Sequence, residues 1–372
     1  MPIVSKLRCF FGAGGGGRTR TLLPGLDFES STSANSITPA ATRILYYKNV
    51  GLSIVFFQHL KKIKMVTEIL KKELLLCKNQ KIFIGLFVFV DIIEAVIKMK
   101  IDFVAVDLDG TLLRTDHTVS QITADRFSAA AAQGVYIVPS TGRVRLPSVV
   151  SRLPGLRYAV LSNGAIVKDL QKDEVLYQDV LDSSLCTWLY GVVCQYDCFL
   201  EIYYQGSLLT DAHYLHNLSD GYGLSDQDLR IMQTRVLLAD NLAQLVRQKD
   251  FTAEKFNLLF KRDADFDAAW AYFKQEPRIR ISSGSKNALE INSATASKWS
   301  GILALCRILG VDPEHVMGIG DSNNDVEMLK NAAFSVAMKN ADPQLFDFVD
   351  FVTDSNDEDG VAHAIEKFVL GL

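Results

Sequence analysis

The sequence predicts an α/β protein, a doubly wound parallel sheet interrupted by an inserted α+β domain. Three observations predict it. From Ile101 onward, short apolar runs alternate with amphipathic helical patterns. These runs end on acidic and hydroxyl residues, as strands do when they deliver side chains to one sheet edge. Over residues 182–283 the pattern changes to strands with helical stretches between them, without the regular alternation.

The first apolar run is Phe103-Val104-Ala105-Val106. A helical pattern over residues 123–133, closed by Gly134, leads to a second run at residues 135–138, which makes a βαβ unit. A third run, at residues 158–161, ends at Ser162-Asn163-Gly164. Near the C-terminus, residues 316–319 and 335–338 add two strands separated by a helical stretch at residues 326–331. Such short apolar runs suit a parallel sheet covered by helices on both faces. Within the insert, residues 199–204, 257–260 and 278–282 are expected as strands of a lid over a site. The expected organisation is thus a core from residues 99–181 and 284–372, a cap from residues 182–283, and a poorly patterned extension over residues 1–98.

At 372 residues the chain corresponds to about two to two and a half domains. Its 48% hydrophobic and 22% charged residues supply more than one core and exclude wholesale disorder. Lys plus Arg, 39, nearly balance Asp plus Glu, 43, so bulk charge does not point to nucleic acid. Cys9, Cys77, Cys186, Cys194, Cys198 and Cys306 form no CxxC pair and are expected as reduced thiols of a cytoplasmic protein. Residues 82–97 are apolar but interrupted by Asp91 and Glu94, and fall short of the roughly 20 residues a membrane span needs. No secretory signal opens the chain, because the first residues hold a glycine run with Arg18 and Arg20 in place of an apolar core. Residues 1–98 pass from that run to a Lys-rich amphipathic stretch around residues 59–75; they are expected as a poorly ordered leader or as sequence ahead of a translation start at Met99.

The residues that carry chemistry follow the apolar runs. After Val106 come Asp107, Leu108, Asp109, Gly110 and Thr111; after Val138 come Ser140, Thr141, Gly142 and Arg143; after Ile319 come Gly320, Asp321, Ser322, Asn323, Asn324 and Asp325. Each has an ordinary explanation alone: Asp-Gly and Asn-Gly are turn dipeptides, and Asp325 suits the first turn of a helix. Together, two acids at i and i+2 and an acid pair from another strand concentrate negative charge that is costly without a cation. An oxygen-ligated Mg²⁺, content with few carboxylates plus water and phosphate, fits best.

From about Met99 to Leu372 the chain resembles a haloacid dehalogenase superfamily phosphatase, of the Cof-type (subfamily IIB) sugar-phosphatase branch, with a Rossmannoid core and a C2-type cap. Its four motifs stand in order: DLDGT at residues 107–111, STGR at residues 140–143, Lys298 at a helix start, and GDSNND at residues 320–325. The resemblance implies that Asp107 is the nucleophile and Asp109 the acid/base. It implies Mg²⁺ held by the Asp107 carboxylate, the Asp109 backbone carbonyl and Asp321. Leu108, Thr141, Gly142 and Asn324 would contact the phosphoryl group, and Lys298 would neutralise its oxygens. Asp325 would orient Lys298 or a metal-bound water. Arg143 and Asn163 stand at strand ends where a substrate contact, a surface salt bridge and a simple turn are all open. The chain departs from the family at Trp299, where Gly is usual after the lysine, at Ser293 and Thr295, which replace Pro and Gly, and at Ser335, which replaces Gly.

Only 29 residues separate Thr111 from Thr141, too few for a cap of roughly 50 residues or more. The cap is therefore expected in the later insert, which disfavours early-cap dehalogenases and phosphoglucomutases. A phosphomannomutase-like phosphotransferase keeps the same Asp107/Asp109 pair and stays open. A non-catalytic sugar-phosphate-binding module also stays open, although intact Asp107, Asp109, Lys298 and Asp321 argue against it. The implied partner is a small phosphorylated metabolite, with hexose phosphates, other phosphomonoesters, pyridoxal phosphate and FMN all fitting. No nucleic acid or membrane partner is expected, and the protein is expected as a monomer or weak homo-oligomer.

Overall fold

The computed structural model describes residues 100–216, 236–283 and 286–372, together with four short strands ahead of them. Those strands, Thr19–Arg20, Asp27–Ser30, Arg43–Tyr47 and Leu52–Phe56, pair in chain order as an antiparallel sheet within the unit Met1–Met99. The stretches at residues 59–75 and 82–97 lie outside the described residues, as do Cys9 and Cys77. The second unit, Lys100–Leu372, carries everything that follows.

Strand β1, Phe103–Val106, is wholly buried along its length, as an interior parallel strand covered on both faces must be. Helix α1, Gln121–Ala132, begins two residues before the expected helix because the Ser120 hydroxyl caps it, accepting from the Thr123 amide. It buries Phe127 and Ala130 and leads into β2, Tyr136–Pro139, parallel to β1. The third apolar run forms β3, Tyr158–Leu161, but it touches the parallel sheet only through a single bridge from Val160 to Ser140. Otherwise β3 pairs antiparallel with β4, Ile166–Asp169, and β4 with β5, Glu174–Gln178, so the run opens a small hairpin sheet that its apolar composition did not announce.

The chain then builds a six-stranded sheet. Its strands are β6 (Cys198–Tyr204), β7 (Ser207–Thr210), β8 (Val236–Leu238), β9 (Lys255–Phe260), β10 (Ile279–Ser282) and β11 (Ala288–Ser293). The order is β8-β7-β6-β9-β11-β10, antiparallel except between β7 and β8. Helices α2, Ser183–Val193, and α3, Asp263–Phe273, cover one face, where Leu189 and Phe273 join Ile202, Phe256, Leu258, Leu289 and Ile291 in one apolar core. Strand β11 lies past residue 283, where the insert is expected to end. Leu289 and Ile291 are buried in the insert's core, and the β9 and β10 ladders hold the strand there.

After this insert come α4 (Lys298–Leu309), β12 (Val316–Gly320), α5 (Val326–Asn331), β13 (Phe334–Ala337), β14 (Phe351–Val352) and α6 (Gly360–Ile365). The main sheet runs β14-β13-β12-β1-β2, all parallel. The architecture is therefore the expected one, a parallel Rossmannoid core with an inserted, largely antiparallel cap. Because β1 lies between β12 and β2, the carboxyl ends of these three neighbours bring Asp107, Ser140 and Asp321 to one edge. Among the described residues, no helix is long and apolar enough to cross a membrane.

Cys186, Cys198 and Cys306 are free and buried, whereas Cys194 is free and exposed. Burial pushes the thiols of Cys186 and Cys198 up to about 12 and that of Cys306 to about 11, which suppresses the reactive thiolate. Alkylation of native protein at mildly alkaline pH, mapped by peptide mass, should mark Cys194 and spare the other three until denaturant is added. Equal marking of Cys198 would contradict the packing of β6.

Candidate active site

The site is organised around Lys298, which is buried together with Asp107 and Asp325. The Lys298 ammonium lies 2.7 Å from Asp107 Oδ1 and 2.7 Å from Asp325 Oδ1. Two local features hold it there. A capping box between Ser297 and Ser300 starts α4 at Lys298. The turn after β3 abuts that start so closely that a Cβ on Gly164, at φ +94°, would lie 1.8 Å from the Ser297 carbonyl oxygen. Only glycine permits both that backbone conformation and that approach.

Asp325 Oδ2 accepts from the backbone amides of Asp321 and Ser322, each at 3.0 Å, and so folds the loop after β12 back on itself. Asp321 is held in turn by the Thr111 hydroxyl, which donates to its Oδ1 at 2.5 Å. One carboxylate oxygen from each of Asp107, Asp321 and Asp325 lies within 4.8 Å of the others. Burial, reinforced by the charge of Asp325, raises the Asp107 carboxyl well above the usual range and pushes Asp321 up to about 7. Burial alone would lower the Lys298 pKa, but the charges of Asp107 and Asp325 outweigh it and raise it. Three carboxylates thus face one ammonium. This surplus of hard oxygen donors fits a divalent cation such as Mg²⁺.

Around this centre, Arg143 grips Asp109 with two hydrogen bonds, Nε to Oδ2 at 2.7 Å and Nη2 to Oδ1 at 2.5 Å. Burial would raise the Asp109 pKa, but the hydrogen bonds and charge of Arg143 hold it below the ordinary value. Thr141 is buried, with its hydroxyl accepting from the Arg143 amide at 3.1 Å. Asn324 Oδ1 accepts from Lys298 at 3.3 Å, and its Nδ2 donates to Asn163 Oδ1 at 3.4 Å. Asn163 Nδ2 donates across to Glu290 Oε2, on β11, at 2.7 Å.

The haloacid dehalogenase-like hydrolase family model matches residues 104–365. The chain belongs to that family. Phosphatase YwpJ of Bacillus subtilis (strain 168) is 28% identical to this hydrolase over 286 residues, 72% of this chain and 99% of that protein. From the same organism, 5-amino-6-(5-phospho-D-ribitylamino)uracil phosphatase YcsE is 26% identical over 279 residues, covering 73% of this chain and 96% of the relative. A solved haloacid dehalogenase-like hydrolase from B. subtilis shares the fold with a TM-score of 0.63 at 23% identity, over 72% of this chain and 99% of that one. The hydrolase is an enzyme, a phosphatase of the haloacid dehalogenase type.

The structure of the hydrolase brings together the residues singled out from its motifs, with differences of detail. Asp107 and Asp321 share the carboxylate cluster with Asp325, whereas the Asp109 side chain is turned to Arg143. Leu108 is wholly buried, and its carbonyl accepts from the amides of Thr111 and Leu113. Arg143 pairs within the site, and Asn163 is both a turn residue at φ 57° and a contact to the cap. Trp299 is buried. Sequence reasoning missed the cap's contribution: Lys255 donates to the Gly142 carbonyl at 2.7 Å, and Glu254 accepts from the Ser162 hydroxyl at 2.6 Å. The available signal was the alternation of Lys255, Phe256, Asn257 and Leu258, which marks a strand with one polar face.

Replacing Gly164 by Ala should drive the chain away from Ser297 and displace the start of α4. The expected result is a loss of about 2 kcal/mol or more in denaturant unfolding, with a fall in turnover as Lys298 moves. Unchanged stability would show that this turn does not seat the helix.

Proposed function

We propose that the hydrolase is a Mg²⁺-dependent phosphomonoesterase of the Cof-type (subfamily IIB) branch. Its substrates on this reading are small phosphorylated metabolites such as sugar phosphates, and its intermediate is an aspartyl-phosphate on Asp107. The observation that carries this reading is Asp107 itself, buried at the end of β1 with its carboxylate 2.7 Å from Lys298 and clustered with Asp321 and Asp325. The cap on this reading begins near Asp182 and ends after Ser293, with the catalytic core on either side. The free cysteines of the described residues support a cytoplasmic protein. On this reading the protein acts as a monomer or weak homo-oligomer.

In the first step an Asp107 carboxylate oxygen attacks phosphorus, and the bond from phosphorus to the ester oxygen breaks. Asp109 gives its proton to the departing alkoxide. In the second step Asp109 takes a proton from water as the water oxygen attacks phosphorus, and the bond from phosphorus to the Asp107 carboxylate oxygen breaks, releasing phosphate and restoring the Asp107 carboxylate. The Arg143 pair keeps Asp109 ionised, which suits the second step; opening of that pair frees Asp109 for the first. Thr141, Lys298 and Asn324 would hold the phosphoryl oxygens, together with the backbone at Leu108 and Gly142. Asp107, Asp321 and the Asp109 carbonyl would hold Mg²⁺, with Asp325 behind them, and the cation would offset repulsion between carboxylate and phosphate.

The test is phosphate release from a panel of phosphomonoesters, with and without Mg²⁺, by the full chain and by Asp107→Asn. Release should require the metal and fall about 10³-fold or more in the variant. A folded protein that releases no phosphate from any ester would overturn the proposal, and an isomerised ester in place of free phosphate would point to a mutase.

A further inference from the structure

The turn after β3 is strained. Ser162, Asn163 and Gly164 stand in succession at φ 52°, 57° and 94°, in the left-handed region that glycine adopts freely and serine adopts at a cost. Left-handed residues ordinarily occur singly, and strain of this kind persists only where the surroundings hold it. The core supplies part of that hold: the Ser162 amide donates to the Arg143 carbonyl at 2.9 Å, and the Asn163 amide to the Thr141 carbonyl at 3.0 Å. The turn is therefore tied to the STGR loop that carries Thr141.

The same turn seats the start of α4. Besides the close approach of Gly164 to the Ser297 carbonyl, a Cβ built on Gly301 would lie 3.0 Å from the Gly164 Cα, so turn and helix meet glycine on glycine. A shift of the turn therefore disturbs Lys298, the first residue of that helix. A further hold comes from the insert, and it falls on Ser162. Glu254 Oε2 accepts from the Ser162 hydroxyl at 2.6 Å, and Asn292 Nδ2 donates to the carbonyls of Ser162 and Glu254, each at 2.9 Å. Glu254 is fixed in turn by the Gly206 amide, which donates to its Oε1 at 2.8 Å.

Glu254 is 4% exposed. A carboxylate is costly to bury, but its charge-assisted hydrogen bonds are stronger than those of a neutral acceptor, which suits it to holding a backbone that would otherwise relax. With Val144, Leu161, Ile166 and Gly206 it lines a cavity of about 530 Å³ that none of Asp107, Asp321 and Asp325 borders. Its carboxylate thus bears on the turn and not on the carboxylate cluster. We propose that Glu254 is a positioning residue: through Ser162 it keeps residues 162–164 left-handed, and so sets Thr141 and Lys298 for the phosphoryl group. The placement of both then depends on the seating of the cap. The inference rests on the phosphomonoesterase reading above for what Thr141 and Lys298 do.

The test is a rescue in the full chain, read by kcat on nitrophenyl phosphate with Mg²⁺ and by hydrogen exchange of the Asn163 and Gly301 amides, which bond to Thr141 and Ser297. Glu254→Ala should lower kcat about tenfold and speed exchange at both amides. Adding Ser162→Gly, which makes the left-handed turn cheap without the carboxylate, should restore most of both. Adding Ser162→Ala removes the same hydroxyl without that freedom and should restore neither. Equal effects of glycine and alanine would overturn the inference, because a role for Glu254 at Gly206 alone predicts no difference between them. Unchanged exchange in Glu254→Ala would overturn it as well. If Glu254→Ala does not fold, Glu254→Met, which keeps the volume, takes its place in the same comparison. Exchange needs no turnover, so a wild-type protein that releases no phosphate would sink the hydrolase reading while the exchange pattern still decides the role of Glu254.

Discussion

The structure depends on one buried ammonium held among carboxylates. Lys298 touches Asp107 at the end of β1 and Asp325 in the loop after β12, so it ties together two adjacent strand ends and the first residue of α4. A buried ammonium is tolerable only where partners of opposite charge are fixed in place. That requirement propagates outward. It fixes the close approach of Gly164 to Ser297, the Ser297/Ser300 capping box, and the loop in which Asp325 accepts from the amides of Asp321 and Ser322.

The same constraint explains why the acids are arranged unequally. Asp325 spends its acceptors on backbone amides and Lys298 and is wholly buried, which makes it a support for the cluster. Asp321 is steadied by Thr111 and pushed up to about 7 by burial and by Asp325, which together outweigh the nearby Lys298 ammonium. Asp109, at the rim, is instead paired with Arg143. Two neighbouring motifs, DLDGT and STGR, are thereby coupled through one bidentate contact.

The insert follows a different logic. Its sheet rests on α2 and α3 through one apolar face, and the strands keep that face in register from Leu200 to Ile291. The other face meets the core through Lys255, Glu290 and Asn292, whose partners are Gly142, Asn163 and Ser162. Cap and core therefore meet through polar contacts concentrated at the turns after β2 and β3, next to the carboxylate cluster. Arg280 and Glu327 add a more exposed pair at the edge of the same seam.

Much of the core was legible in the sequence. Phe103–Val106 is an apolar run that suits a covered parallel strand, and the four motifs stand in an order that pointed to the carboxylates and the lysine. Local patterns determined these features because each depends on neighbouring residues: an apolar run, a cap, a glycine turn. Only the tertiary structure decided that β3 turns into a hairpin, that β11 belongs to the insert, that Arg143 pairs with Asp109, and that Asn163 reaches Glu290, 127 residues away in the chain. Alternation in a strand shows that one face is polar, but what that face meets depends on the register of distant strands and the seating of the cap, which no local pattern encodes.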